Sequence, residues 1–475
     1  MEPIDFKEKQ VTTALFQFIF PFSLKIDTTH NLFRYLHEQN FTFYQLNDKQ
    51  KETAYYGRYQ VSHRKMKSFF LPFTNNFLFP PSQQQKGFQR FTKQLDINGL
   101  LKAKHGITPF QIHSLDLFIC PYNLGFITIR TEISNMPFSQ AIEFADCFRM
   151  LGQQTPAPRI EYGGEAYLHV KDFLYDCLFP GLPGFFDHTS TSFLDTKKMY
   201  VQSLLTLNEG ETIDRVDVYR SGTLCGINDA GNPYVNANNL DYISNYLKDH
   251  SWNRWAPTTY SIFSEECFSC MTNEHHDEFR LLAQQFYGQF YYAVLLNLFH
   301  KHVLLKIAAD YSALNLDQDK KEIDHLIYTI NSFTSNYFFS VNPVQTEGQE
   351  LFTHIRKSFV IDNLYTNTKD ILFSLFKYEE NTGKKRDTLL LLVLTLYTVI
   401  CGIFSMNLFT HDLEGKIHWS HFKSYNPFEY FAVFIVFSGI IVVIFLWIQS
   451  LYQAIQDRKK RKKWVQESVL SEKKP

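Results

Sequence analysis

The sequence predicts an α/β domain, then a long helical stalk, then two transmembrane helices per subunit. Three observations carry this. The first 270 or so residues alternate short apolar runs with Pro/Gly clusters, residues 347–380 repeat apolar side chains at three- and four-residue steps, and two long runs after residue 387 carry no charge. With 475 residues, the chain exceeds one ordinary core, so two or three structural units are expected.

The earliest apolar run, 11–20, follows Lys7 and Lys9 but also Glu2, Asp5 and Glu8, and it stops at Pro21. A secretory leader wants a basic start and a small-residue cleavage site, so a buried strand is the expectation here. Runs 117–120, 125–133 and 200–207 read as strands, and 138–151 and 240–246 as helices. Pro80-Pro81, 156–158 and 180–184 read as loops. Aromatic residues make up 17% of the chain, which suits a well-filled core and by itself identifies no ligand.

Two helical patterns follow, 275–313 and 317–339. Leu351, Ile355, Phe359, Leu364, Ile371 and Leu375 then mark one continuous helix running from about residue 347 into the uncharged segment. It would hold about 60 residues and reach roughly 90 Å. A helix of that length implies bundling with copies of itself or with neighbours. The expected divisions are a cytosolic α/β domain at 1–272, packing helices at 273–345 and the stalk at 346–387. Transmembrane helix 1 follows at 388–409, an outer loop at 410–427, transmembrane helix 2 at 428–452 and a basic tail at 453–475.

Run 388–409, TLLLLVLTLYTVICGIFSMNLF, spans about 33 Å as a helix, enough for a bilayer core. Run 430–452 is equally long and equally uncharged. Lys384, Lys385 and Arg386 precede the first run and six basic residues, 458–463, follow the second, so the positive-inside rule places both termini in the cytoplasm of an inner membrane. The basic tail would anchor to lipid headgroups. A formal net charge of −1 argues against a nucleic-acid-binding surface.

Seven scattered cysteines are no disulfide framework. Cys267 and Cys270, followed by His275 and His276, are ligand types zinc accepts, or else buried thiols at a helix start. No phosphate-binding glycine loop and no nucleophile–base arrangement can be defended from spacing, so no enzyme is expected.

Two membrane helices cannot enclose a water-filled path, so conduction would need an oligomer with one helix per subunit on the axis. Lys384, Asp387, Leu391, Thr395, Thr398 and Gly402 recur at helical steps and form one stripe. The threonines either line a pore or bond the preceding backbone carbonyls.

Gly402-Ile403-Phe404-Ser405-Met406-Asn407 closes the first run, with Asn381 upstream, Thr398 and Gly402 inside, and Arg458 to Trp464 after the second run. In these features the chain resembles the CorA family of magnesium channels, over about residues 275–464. The resemblance implies a funnel-shaped homopentamer conducting Mg²⁺ or a related divalent cation, gated by its cytosolic domain. Ser405, Met406 and Asn407 would form the pore entrance, where amide carbonyls select a hydrated Mg²⁺ without stripping it. Thr398, Thr395, Leu391 and Gly402 would line the pore, and Asn381, Lys384 and Asp387 the inner neck. Asp412 and Glu414 either concentrate cations in the outer loop or are solvated loop acids. Asp370 is either a regulatory Mg²⁺ site on the stalk or a solvated helix residue.

Two departures separate the chain from that family. Ser405 stands where the family has Gly, and Lys384 and Asp387 stand at a neck the family gates with bulky apolar residues. The other reading the resemblance allows is an effector of a type III CRISPR antiviral defence system, opened by a nucleotide messenger bound to the cytosolic domain.

Overall fold

The computed structural model describes residues 7–26, 28–46, 59, 61, 66, 68–83, 85, 87–152, 158–187, 193–194, 196–316, 320–338 and 343–408. Beyond these it describes 427, 430, 431, 434, 437, 438, 441 and 444. Contacts divide the chain into two units, Met1–Leu372 and Phe373–Pro475.

An 11-stranded sheet organises the first unit. Its strands are β1 (Gln10–Ser23), β2 (Thr42–Phe43), β3 (Gln89–Ala103), β4 (Gly106–Cys120), β5 (Leu124–Pro137), β6 (Arg159–Tyr162), β7 (Glu165–Tyr167), β8 (Tyr200–Leu207), β9 (Ser251–Trp252), β10 (Thr259–Phe263) and β11 (Cys267–Thr272). They lie in the order β7-β6-β3-β4-β5-β1-β8-β11-β10-β9, with β2 beside β3. Neighbours are antiparallel except β8 and β11, which run parallel with Ser203 beside Ser269. A parallel pair needs a long crossover. Here it is supplied by α3 (Arg215–Thr223), α4 (Leu240–His250) and the β9–β10 hairpin.

β1 sits between β5 and β8, and everything in it from Ala14 on is buried. That burial on both faces explains its near-continuous apolar sequence. Phe18 packs on Phe148 of α2 (Phe138–Arg149), ring centres 4.6 Å apart, and Phe16 on Phe144 at 5.5 Å. The opposite face takes α5 (His276–Gln285), a π-turn over Phe286–Phe290 and α6 (Tyr291–Ala313). A π-turn releases backbone carbonyls from the helical ladder. The freed oxygen of Phe286 accepts from Gln17 and Gln202, each at 3.2 Å.

That second face is polar. Arg130 donates to Gln17 at 2.9 Å and to Asp116 at 2.6 Å, and Arg90 reaches the same carboxylate oxygen at 2.9 Å and the Tyr292 hydroxyl at 2.9 Å. All are essentially solvent-free. The charges of the two arginines hold the Asp116 carboxyl below the usual carboxylate range although burial alone would raise it. Burial pushes nearby His113 down to about 3, so it is a neutral imidazole hydrogen-bonded to Tyr287 at 3.1 Å. This network holds the helical layer on the sheet; every named member is enclosed.

The helices after the sheet are α7 (Lys320–Phe333), α8 (Thr346–Ser358) and α9 (Ile361–Leu408). The expected single helix from residue 347 is therefore broken. Val360 takes a left-handed φ of 55°, its N–H bonding the Lys357 carbonyl at 3.1 Å, while Phe359 caps back to Ile355. The break lets both Phe359 and Ile361 reach the core, where Phe359 meets the Tyr200 ring at 5.2 Å. Packing outweighs helix propensity here.

The two-membrane-helix architecture is also corrected. Among the described residues, no helix is long and apolar enough to cross a membrane. α9 has the length, 48 residues. A bilayer core, however, wants about 20 consecutive apolar residues. The earlier turns of α9 bear Lys369, Asp370, Lys377, Glu379, Glu380 and Lys384. Most of the second run, 430–452, and all of the basic tail lie outside the described residues. The funnel with spans at 388–409 and 428–452, the inner-membrane placement and the channel built on them fall with that finding.

Candidate functional site

The residues expected at a pore do not converge in the described structure. Thr395 and Thr398 donate their hydroxyls to the Leu391 and Leu394 carbonyls, both at 2.7 Å, so they are satisfied within their own helix. Leu391 and Gly402 are exposed on α9, as is Asn381. Lys384 pairs with Glu380 one turn back at 2.5 Å. Asp370 is exposed, with no ion pair among the described residues. Ser405, Met406 and Asn407 lie in the helical backbone of α9, but their side chains, like that of Asp387, are outside the described part; Asp412 and Glu414 are wholly outside it.

The zinc expectation fails on strand geometry. Cys267 and Cys270 both lie in β11, and residues three apart in a strand point to opposite faces. Burial pushes each thiol up to about 12. Among the described residues no group of three or more His, Cys, Asp or Glu is placed to hold a metal, so no described metal centre represents the expected Mg²⁺.

A cleft of about 470 Å³ opens instead between α3, α4 and the β9–β10 hairpin. Ile213, Val218 and Leu247 supply apolar wall, Ser244, Ser251 and Asn253 polar wall, Tyr260 an aromatic ring, and Arg215 and Lys248 positive charge. Asn239 caps α4 by accepting from Asp241 and Tyr242. Arg215 bridges the two helices by donating to the Ser244 hydroxyl at 3.3 Å. Ser244 and Lys248 are one turn apart on α4, which brings the Lys248 ammonium to the same side.

Among the described residues, the one carboxylate lining this cleft, Asp214, is already committed. With Asp217 it forms the capping box of α3, and it receives the Lys9 ammonium at 2.9 Å. Lys9, from the chain just before β1, also donates to the Thr212 carbonyl at 2.6 Å and to Asp217. Burial opposes the Lys9 charge, but the hydrogen bonds and charges of Asp217 and Asp214 outweigh it and raise its pKa. Burial pushes the enclosed Asp217 up to about 6 despite Lys9. For Asp214, burial is outweighed by the Asp217 amide and by Lys9, which lower it. Asp214 and Asp217 thus share the Lys9 ammonium behind the cleft, and Arg215 and Lys248 supply the positive charge on its open side.

The cleft wall is tied to α8. Trp252, beside the lining residues Ser251 and Asn253, donates its indole N–H to Glu350 at 3.0 Å, and Arg254 reaches the same oxygen at 3.0 Å. Lys357 pairs with Asp249 at the end of α4, at 3.1 Å. These exposed ion pairs are individually weak, but they join both sides of the α4–β9 corner to one helix. That helix ends at Ser358, and α9 begins at Ile361, after Phe359 and the left-handed Val360.

A second cleft, about 440 Å³, lies between the end of α6 and α7. Its Asp310 and Glu322 face Lys321 and His325, and burial raises Asp310. The mixed charges there select no ligand sign. Neither family models nor curated proteins nor solved structures yield a match to this chain. Sequence reasoning missed the α3–α4 cleft because its residues come from segments 213–218, 244–253 and 260 with no motif spacing. The Asn239 and Asp214 cap signals were the only local clue.

Proposed function

We propose that this chain is a ligand-responsive regulatory protein rather than an enzyme. An anionic small molecule occupies the α3–α4 cleft, and occupancy is relayed through α8 to α9, by which copies of the chain associate. The observation that carries the reading is the pair of ties from the α4–β9 corner to α8. A ligand drawing Arg215 and Lys248 together would shift α4, and Lys357 and Glu350 would carry that shift to the helix that leads into α9. A ligand changes an equilibrium only by contacting two states differently, and α8, anchored in the core by Leu351, Phe352 and Ile355 and tied to the cleft wall by exposed pairs, is the element through which such a difference would pass to the left-handed break. Among the described lining residues there is no nucleophile with a base beside it, which favours binding over catalysis.

Association of copies is supported by α9 itself. Leu389, Leu391, Leu392, Leu394, Leu396 and Val399 are each at least half exposed, and they lie on every side of the helix. Apolar surface of that extent wants cover, and a helix that is apolar all round wants more than one neighbour.

The test needs no knowledge of the ligand. Asn253→Cys, capped with a bulky maleimide, fills the cleft; the parent chain treated identically is the control. Amide exchange should change in residues 346–360, and sedimentation should show a changed degree of self-association. Unchanged exchange in α8 with a fully labelled cleft removes the relay, and a monomer at every concentration removes the assembly.

A further inference from the structure

Resting on the cleft reading, we infer that its ligand is a phosphorylated small molecule carrying a planar ring. The charge pattern comes first. Arg215 and Lys248 both face the cleft, and among the described residues neither forms an ion pair. The only lining carboxylate among the described residues, Asp214, is bonded by Lys9 and by the Asp217 amide at 3.0 Å. Arg215 on α3 and Lys248 on α4, hydrogen-bonded only to the neutral Ser244 at 3.3 Å and Asn245 at 3.2 Å among the described residues, present two positive charges from facing helices and match a dianion better than a single carboxylate. A phosphomonoester carries about −1.5 to −2 at neutral pH and offers three acceptor oxygens.

The α3 N-terminus does not compete for this role. Its capping box consumes the amide of Asp217 and the amide of Asp214. The Arg215 and Lys248 side chains supply the charge to hold the anion, with the Ser244 hydroxyl beside Arg215 at 3.3 Å. Such a site is salt-sensitive, because both cations are exposed.

The rest of the cleft argues for the ring. Tyr260 lines it and stacks on no other aromatic ring among the described residues, with Leu247 and Ile213 nearby in the wall. Ser251 and Asn253 provide donors and acceptors for ring-edge groups. A volume of about 470 Å³ lies within the usual range for small-molecule sites.

The test is titration calorimetry on the full chain with AMP, adenosine and inorganic phosphate, at low and high salt. AMP should bind, adenosine at least about tenfold more weakly, and the Arg215→Gln, Lys248→Gln double variant should lose about tenfold or more toward AMP. Tyr260→Leu should weaken AMP and leave phosphate unchanged. Equal binding of AMP and adenosine, or AMP binding indifferent to the double variant, overturns the phosphate assignment. Tyr260→Leu without effect on AMP overturns the ring. If none of the three probes binds while a maleimide in the cleft still alters α8, the ligand class is wrong and the relay stands. If AMP binds as expected and the maleimide leaves α8 unchanged, the class stands and the relay falls.

Discussion

Trp252 and Glu350 are 98 positions apart, yet the indole Nε1–H of the one meets the carboxylate of the other at 3.0 Å. The tryptophan is buried and the acid is on the surface, so the bond joins the sheet edge that backs the cleft to the outer face of α8. Hydrogen bonds from Trp252 and Arg254 hold the Glu350 carboxyl below its ordinary range. Glu350→Ala leaves the indole donor without its acceptor and frees Arg254, so amide exchange should accelerate at residues 251–254 and 346–358 together. Glu350→Gln keeps an acceptor and should fall between. Acceleration confined to α8 would show that the two elements are not coupled through this contact.

The carboxylate shared by Arg90 and Arg130 is the most consequential single charge in the sheet. Asp116→Asn keeps the shape and leaves two enclosed guanidiniums without a counter-charge, a change expected to cost about 3–5 kcal/mol. Chemical denaturation of the variant beside the parent reads this directly. The pH dependence has a definite sign. Because the folded carboxyl titrates below its unfolded value, its contribution is complete above the ordinary aspartate range. It is lost as pH falls through the lower, folded value. The gap between parent and variant should close in acid.

Asp217 has the opposite sign. Its carboxyl is raised to about 6 by burial, so between the ordinary aspartate value and about 6 the folded chain holds a proton that the unfolded chain has released. Stability from this group is complete at the acid end of that window and declines as pH rises through it. Melting temperatures of the parent, measured relative to Asp217→Asn, should drop across that interval. A difference that grows with pH would mean that Lys9, not burial, controls the carboxyl.

What the sequence shows of this fold depends on where polar groups go. The 11–20 run reads as a buried strand because β1 is covered on both faces and is apolar over most of its central length. The partners of Gln17, Gln202, Arg90 and Arg130 are not legible in the sequence, since nothing local reveals that tyrosines of α6 and a π-turn carbonyl will meet them. Run 388–409 reads as a span through length and lack of charge alone, and neither property says what covers a helix. Thr395 and Thr398 at helical spacing could not be assigned to a pore wall, because the same spacing lets each hydroxyl bond its own helix. The Cys267–Cys270 pair was decidable: three residues along a strand reverse the face, and the segment already reads as strand. The cleft was not, because its charges are distributed over α3 and α4 and its acid is paired with Lys9, some 200 residues away.

The break at Val360 leaves no trace in composition, since neither Gly nor Pro marks it, and it makes the sharpest mutational prediction. A left-handed backbone costs an L-residue about 1–2 kcal/mol, and a β-branched side chain tolerates it poorly. Glycine removes that penalty but adds about 0.5–1 kcal/mol of unfolded-state entropy. Val360 is 41% exposed, so little burial is lost with its side chain. Val360→Gly should therefore stabilise the fold by up to about 1 kcal/mol, read from the denaturant midpoint. Val360→Pro should destabilise it, because the ring forbids a positive φ and removes the N–H that bonds the Lys357 carbonyl. If the break also serves as the joint between α8 and α9, the glycine variant will be more stable and yet respond less to a blocked cleft, because a freer joint transmits less of the displacement of α8. A glycine variant that is destabilised would place Val360 in ordinary helical backbone and restore one continuous helix.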